Sequence, residues 1–342
     1  MMDEVVITYL WLSILLYFLL GGADFGAGII EMFTSSKRIK KTRTTLYEAI
    51  GPIWESNHMW LVIAIVILFV GFPVIYSTLS VHLHIPILIL LLGIIARGTA
   101  FVFRHYDAIH DNMQEVYNKI FVWSSFITPL FLGIIAGSTV SGKIDLKADT
   151  FETAYIYPWL NWFSIAVGFF TVALCGFLAA VYLIGEATNE EDRKEFIRKA
   201  KNANSIAVIC GILVFIAAEA NEVPLVRWVF GDKVGLGAVL AATISLVLLW
   251  VFVHAKNELV IRGLVAFQVT MILLAISYAH FPDLVITTSG DNLSLIQYKA
   301  PAATLNALGW ALLIGSVFIL PALFYLYYSF RKKANADVGY SH

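Results

Sequence analysis

The stretch VVITYLWLSILLYFLLGGADFGAGIIEMF, residues Val5 to Phe33, decides the fold. It is apolar for longer than the ~20 residues a helix needs to cross a hydrocarbon core. Asp3 and Glu4 stand where a secretory signal carries positive charge. The run also outlasts a signal's apolar region, so it reads as a retained membrane span rather than a cleaved leader.

The same texture recurs down the chain. Of 342 residues, 59% are apolar and 14% charged, where a soluble domain carries roughly a quarter charged residues. A compact soluble domain cannot hide that much apolar surface. These figures exclude a soluble enzyme and a disordered chain. The net charge of −1 offers no basic field for a nucleic acid. Nine spans are expected in an all-α polytopic membrane protein, at about 5–33, 54–78, 84–104, 117–139, 159–186, 204–221, 235–255, 259–281 and 302–330, within a single integral membrane domain over 1–342. Cys175 and Cys210 match no metal, disulfide-motif or haem-attachment spacing and read as buried small residues.

Lysines and arginines orient the bundle in the lipid bilayer. One set of connections carries Lys37, Arg38, Lys40, Lys41, Arg43, Arg104, Lys119, Arg193, Lys194, Arg198, Lys199, Lys201, Lys256, Arg262, Arg331, Lys332 and Lys333; the other carries only Lys143, Lys147, Arg227, Lys233 and Lys299. The bias places the N-terminus outside and the C-terminus in the cytoplasm. The polar stretch from Glu186 to Asn202 reads as a solvated extension of the fifth helix, and that from Pro282 to Ala300 as ordinary outer loop. Asp107, His110, Asp111 and Glu115 read as a solvated inner loop.

Ionisable groups inside spans are costly and therefore functional candidates. Asp24 lies ~28 Å along a ~30 Å core, near the inner face. Around it, Gly22, Gly26 and Gly28, with Ala23 and Ala27, allow another helix to approach closely. Asp24 is either a hydrogen-bonded partner in a tight crossing or a carboxyl that carries protons. The second span opens with Gly51-Pro52-Ile53-Trp54-Glu55-Ser56-Asn57-His58. Pro52 suits a first helical turn. Glu55 and His58, three apart, share a face and can exchange a proton, although a carboxylate in a first turn also complements the helix dipole. In the third span Arg97 needs a carboxylate, backbone carbonyls or a cofactor's acidic group. Asp24, Glu55 and Arg97 all fall in the inner third, so one polar cluster open to the cytoplasm is expected. Gln268 and Asn306 read as interhelical hydrogen bonders. His58, His105, His110 and His254 map to the inner boundary and His82, His84 and His280 to the outer one. No two are placed to clamp a mid-membrane haem iron, and no metal site is expected.

Three segments together carry a resemblance: Gly22-Ala23-Asp24-Phe25-Gly26-Ala27-Gly28, Gly51-Pro52-Ile53-Trp54-Glu55-Ser56-Asn57-His58-Met59-Trp60-Leu61 and Arg97-Gly98-Thr99-Ala100-Phe101-Val102-Phe103-Arg104. In this order they resemble subunit II of the cytochrome bd quinol oxidase family, and the span number extends the likeness over the whole chain. The resemblance implies a respiratory complex in a prokaryotic cell membrane that oxidises a quinol and reduces dioxygen to water. Its haems, of b and d type, are ligated chiefly by the larger subunit I, so this chain alone is not catalytic. Subunit II packs beside subunit I, supports haem assembly and is proposed to conduct protons from the cytoplasm. The matching acids here are Glu55 and Asp24, with His58 beside them. Some members carry a further acid where Gly21 stands, which leaves that step to water or Asp24. Arg97 is expected to balance the carboxylates or a haem propionate, and Trp54 to pack helices. A small accessory transmembrane subunit accompanies some complexes. Two other classes remain: a proton-coupled secondary transporter, for which the related halves and broken midplane helices are not seen, and a purely structural partner.

Overall fold

The computed structural model describes residues 2–51, 53–106, 113–187, 189–253 and 257–337. Pro52, Asp107, His110, Asp111, His254 and Lys256, and the side chain of His105, lie outside the described residues. Among the described residues, nine helices are long and apolar enough to cross a membrane.

The first span runs from Met2 to Met32 as α1 (Met2–Leu16), a π-helical turn at Tyr17–Gly21, and α2 (Gly22–Met32). Three glycines lower the intrinsic helix preference of α2, so packing must hold it. A Cβ at Gly26 would lie 1.9 Å from the Cys175 carbonyl oxygen, and one at Gly28 would lie 2.2 Å from Ser125 Oγ. Backbone therefore meets backbone or hydroxyl at both positions. Gly22 is looser, with its nearest neighbour, Cys175 Sγ, at 3.4 Å.

After α3 (Ile39–Ile50), α4 (Trp54–Gly71) forms the second span. The sequence predicts it to continue to 78, but it stops at Gly71. Phe72 leaves the helical region (φ −139°, ψ 59°) and Pro73 starts α5 (Pro73–His82). A proline disfavours helical geometry in the residue before it, and Phe72 and Ile75 are fully buried at this corner. The third and fourth spans lie in α6 (His84–Tyr106) and α7 (Met113–Val140); a short α8 (Phe151–Tyr155) precedes α9 (Trp162–Ile184). Helix α9 is the most enclosed span, and its Phe177, Leu178, Ala180 and Ile184 form the main core with Ala27, Leu249 and Val265. Cys175 and Cys210 are both free, the first buried and the second half-buried.

The polar stretch after Glu186 is not an extension of α9. That helix stops at Ile184, and residues from Glu190 begin α10 (Glu190–Ala220). Asn189 caps α10 by accepting from Asp192 N, and Glu190, Glu191 and Asp192 fill its first turn, where the dipole favours acids. Nor is this stretch merely solvated. Arg38 pairs with Glu191 and Glu195, and Lys41 with Asp192. Arg193 donates to the Val253 carbonyl at 2.9 Å.

Helices α11 (Leu225–Phe230), α12 (Lys233–Phe252) and α13 (Glu258–His280) follow. The stretch after Pro282 is more than loop. Strands β1 (Asp283–Val285) and β2 (Leu293–Ser294) pair antiparallel, and Val285, Leu293, Leu295 and Ala300 are buried. The final helix, α14 (Ala302–Asp337), presents most of its described side chains outward and meets α1 through a Tyr9–Ser316 hydrogen bond of 2.8 Å. Asn306 is exposed on it rather than bridging helices. Gln268 is buried on α13, but its Oε1 has no hydrogen-bond partner among the described residues.

Candidate functional site: a buried ion pair beside a histidine

Arg97 is 1% exposed, the largest of the fully buried side chains. Its guanidinium grips Asp24 from α2 with Nη1 to Oδ2 at 2.7 Å, Nη2 to Oδ1 at 2.7 Å and Nη2 to the Asp24 carbonyl at 2.9 Å. Nε donates to Ser125 Oγ of α7 at 3.1 Å. The planar fork matches both carboxylate oxygens at once, which a lysine cannot do. Phe25 and Phe121 face the guanidinium with their centroids 5.3 and 5.1 Å away. Asp24 is likewise 1% exposed. The glycines of α2 and the hydroxyl of Ser125 thus bring three helices around one charge pair.

From α4, His58 reaches the same carboxylate, with Nε2 3.5 Å from Asp24 Oδ2. Its ring packs among Tyr17, Phe25 and Trp54. Two polar atoms here, His58 Nδ1 and Tyr17 OH, are buried without a hydrogen-bond partner among the described residues. Trp54 serves packing: its ring lies 5.3 Å from that of Phe101 and over Gly98, where a Cβ would come within 3.3 Å of the indole.

Glu55 does not join this cluster. It is exposed, and the expected grouping of Asp24, Glu55 and Arg97 is corrected to Asp24, His58, Arg97 and Ser125. The reason lies in the phase of α4. Its buried stripe is Asn57, Trp60, Ala64, Ile67 and Gly71, and Glu55, two residues from Asn57, sits ~200° around the helix from it.

A second buried network escapes the sequence reading. Glu31, with a fully buried side chain, accepts from Arg43 Nε of α3 at 2.6 Å and from Arg104 Nη1 at 2.9 Å. Arg104 lies 4.7 Å over Phe121, so that ring separates the two guanidiniums of α6. The available signal is spacing. Asp24 and Glu31 are seven apart on one helix, as are Arg97 and Arg104 on another, and each pair bridges the same sequence separation.

The family described as cytochrome bd terminal oxidase subunit II matches residues 2–330. The cytochrome bd ubiquinol oxidase subunit 2 of Bacillus subtilis (strain 168) is 25% identical over 327 residues, which cover 93% of each protein. The cytochrome bd-I ubiquinol oxidase subunit 2 of Escherichia coli (strain K12) is 24% identical over 196 residues, 54% of this chain and 50% of that protein. A chain in the structure of bd oxidase from Geobacillus thermodenitrificans shares the fold, with a TM-score of 0.71 at 19% identity over 94% of this chain and 98% of that one. The chain belongs to the cytochrome bd terminal oxidase subunit II family.

Proposed function

We propose that this chain packs as subunit II against a haem-bearing subunit I, with its N-terminus outside, supports haem assembly, and supplies protons from the cytoplasm for the reduction of oxygen by quinol. Family membership replaces the transporter alternative. Haems b and d, and the chemistry at them, are assigned to subunit I. His58 does not fit an axial ligand, because its Nε2 is turned to Asp24 and aromatic rings wall its sides. A small accessory transmembrane subunit is a further expected partner.

The observation that carries the proton reading is an ionisable imidazole beside a fully buried ion pair. Arg97 and Asp24 hold a fixed pair of opposite charges, and both carboxylate oxygens are occupied as acceptors. His58 is then the group free to take and release a proton at Nε2. Glu55, exposed on the first turn of the same helix, is a carboxyl that acyl chains do not tolerate. Its face is assigned to subunit I, which receives the proton. Of the two expectations for Arg97, balancing Asp24 is the one the geometry supports, since every donor nitrogen already has a partner within this chain.

In the complete oxidase, His58→Gln is expected to lower oxygen uptake by about tenfold or more with the haem absorption spectrum unchanged. The second reading, a purely structural lock between helices, is favoured by the four hydrogen bonds that hold Arg97 to Asp24 and Ser125. Unchanged uptake in His58→Gln selects that reading and removes the proton role.

A further inference from the structure

The end of α2, the start of α3 and the start of α7 enclose a cavity of 490 Å³. Its wall has two characters. Met32, Ile39, Val122 and Trp123 supply apolar surface, while Arg43, Asn118 and Lys119 supply donors. Helix α7 has 28 residues, ~42 Å against a hydrocarbon core of ~30 Å. Its polar first turns take up the excess and stand at headgroup level. Trp123 is 59% exposed, at the depth where tryptophans rest against headgroups. Lys119 lies one turn, ~6 Å, nearer the end of the span on the same face of α7. A cation is thus stacked above an aromatic ring, the order of polar and apolar parts that a lipid presents.

The electrostatics favour an anion. Glu31 accepts from both Arg43 and Arg104, so two guanidiniums share one carboxylate and one positive charge is left over in this group. Arg104 is 6% exposed and lies over Phe121, whereas Arg43 is 28% exposed and lines the cavity. The surplus therefore faces the cavity. Glu115 is the other acid in the wall. It pairs with Lys119 at 2.9 Å, but the two are 75% and 68% exposed, where such a pair is weak and opens readily. Nearby, Lys37, Arg38, Lys40, Lys41 and Arg43 fall within seven residues, with no acid between Glu31 and Glu48. Arg38 and Lys41 are answered by acids of α10. Lys37 and Lys40 are exposed and add to a positive field, which draws anionic lipid to a segment beside a span.

We propose that this cavity holds the headgroup of an anionic phospholipid, its phosphate between Arg43, Asn118 and Lys119 and one acyl chain starting along Val122 and Trp123. Guanidinium and ammonium groups are the side chains that recognise phosphate. A free phosphate leaves the apolar surface of Ile39 and Trp123 uncovered, so the occupant is a lipid. Bound there, it ties the ends of α2, α3 and α7 together beside the Glu31 network. The site uses neither His58 nor Asp24 and stands apart from the proton-supply reading.

The test uses the complete oxidase in phosphatidylcholine nanodiscs doped with a phosphatidylglycerol that carries a photoactivatable diazirine near the head of one chain. After irradiation, peptide mass spectrometry maps the adducts. The expected adduct lies on α7 between Glu115 and Trp123. Unlabelled phosphatidylglycerol is expected to compete with it, and added phosphatidylcholine or inorganic phosphate not to. Lys119→Gln is expected to lower the adduct yield about fivefold, and Lys40→Gln, which removes the same charge outside the cavity, by less than about twofold. The haem spectrum of each variant complex, unchanged, certifies its assembly. No adduct on that segment overturns the site. Equal competition by phosphatidylcholine overturns the anionic headgroup, and competition by phosphate overturns the lipid as occupant. An undiminished yield in Lys119→Gln, or equal losses in the two variants, overturns the cavity in favour of a diffuse basic surface.

Discussion

Arg97 carries the largest electrostatic liability in the molecule. Removing one partner of a buried pair strands the other charge, at a cost of about 3–5 kcal/mol, whereas removing both is far milder. Arg97→Leu is therefore expected to lower the yield of haem-containing complex severely, and Asp24→Asn with Arg97→Leu to recover much of it. The quantity to measure is the haem content per purified complex for the two single variants and the double. Equal loss in Arg97→Leu and the double variant contradicts the pairing. At this scale the sequence is half legible. A buried arginine and aspartate in parallel spans announce their need for each other through cost alone. Glu31 escapes notice because it sits at the inner boundary, where a carboxylate ordinarily meets water, and only its seven-residue offset from Asp24, matching Arg97 to Arg104, marks it. Glu55 is misplaced by the sequence because an i, i+3 relation to His58 says the two are near each other, not which of them faces the core.

Helix α2 shows how packing outweighs propensity. Its glycines are not equivalent: Gly26 and Gly28 sit against the Cys175 carbonyl and Ser125 with no room for a methyl group, while Gly22 meets Cys175 Sγ at ordinary contact distance. Overpacking of this kind costs about 1–3 kcal/mol or more. Gly26→Ala is expected to lower the melting temperature of the solubilised complex clearly, and Gly22→Ala to leave it within about a degree or two. Similar shifts for both variants contradict the close approach. Small-xxx-small spacing foretells such a crossing without naming which glycine is tightest, because that depends on the facing helix. The span boundaries follow the same division. Apolar length locates all nine spans, but the turn at Phe72–Pro73 and the assignment of Glu190 onward to α10 depend on local backbone chemistry. There the proline and the Asn189 cap with its acidic first turn outweigh the hydropathy.

The whole molecule joins a bundle of apolar helices to one proposed function: delivering protons to a partner that holds the haems. The number of spans and the family are readable from composition and from three short segments in the first three spans. The cavity beside Asp24 is not, since it arises where α3, α9 and α13 converge across distant parts of the chain. In the proposed function the His58–Asp24 cluster handles protons rather than electrons. It is tested most directly by following haem reduction by quinol and proton uptake from the medium during a single oxygen pulse, in the same sample of the His58→Gln oxidase. The expected result is haem reduction at the parent rate and proton uptake slowed about tenfold or more. Proton uptake at the parent rate, or both processes slowed together, contradicts the claim.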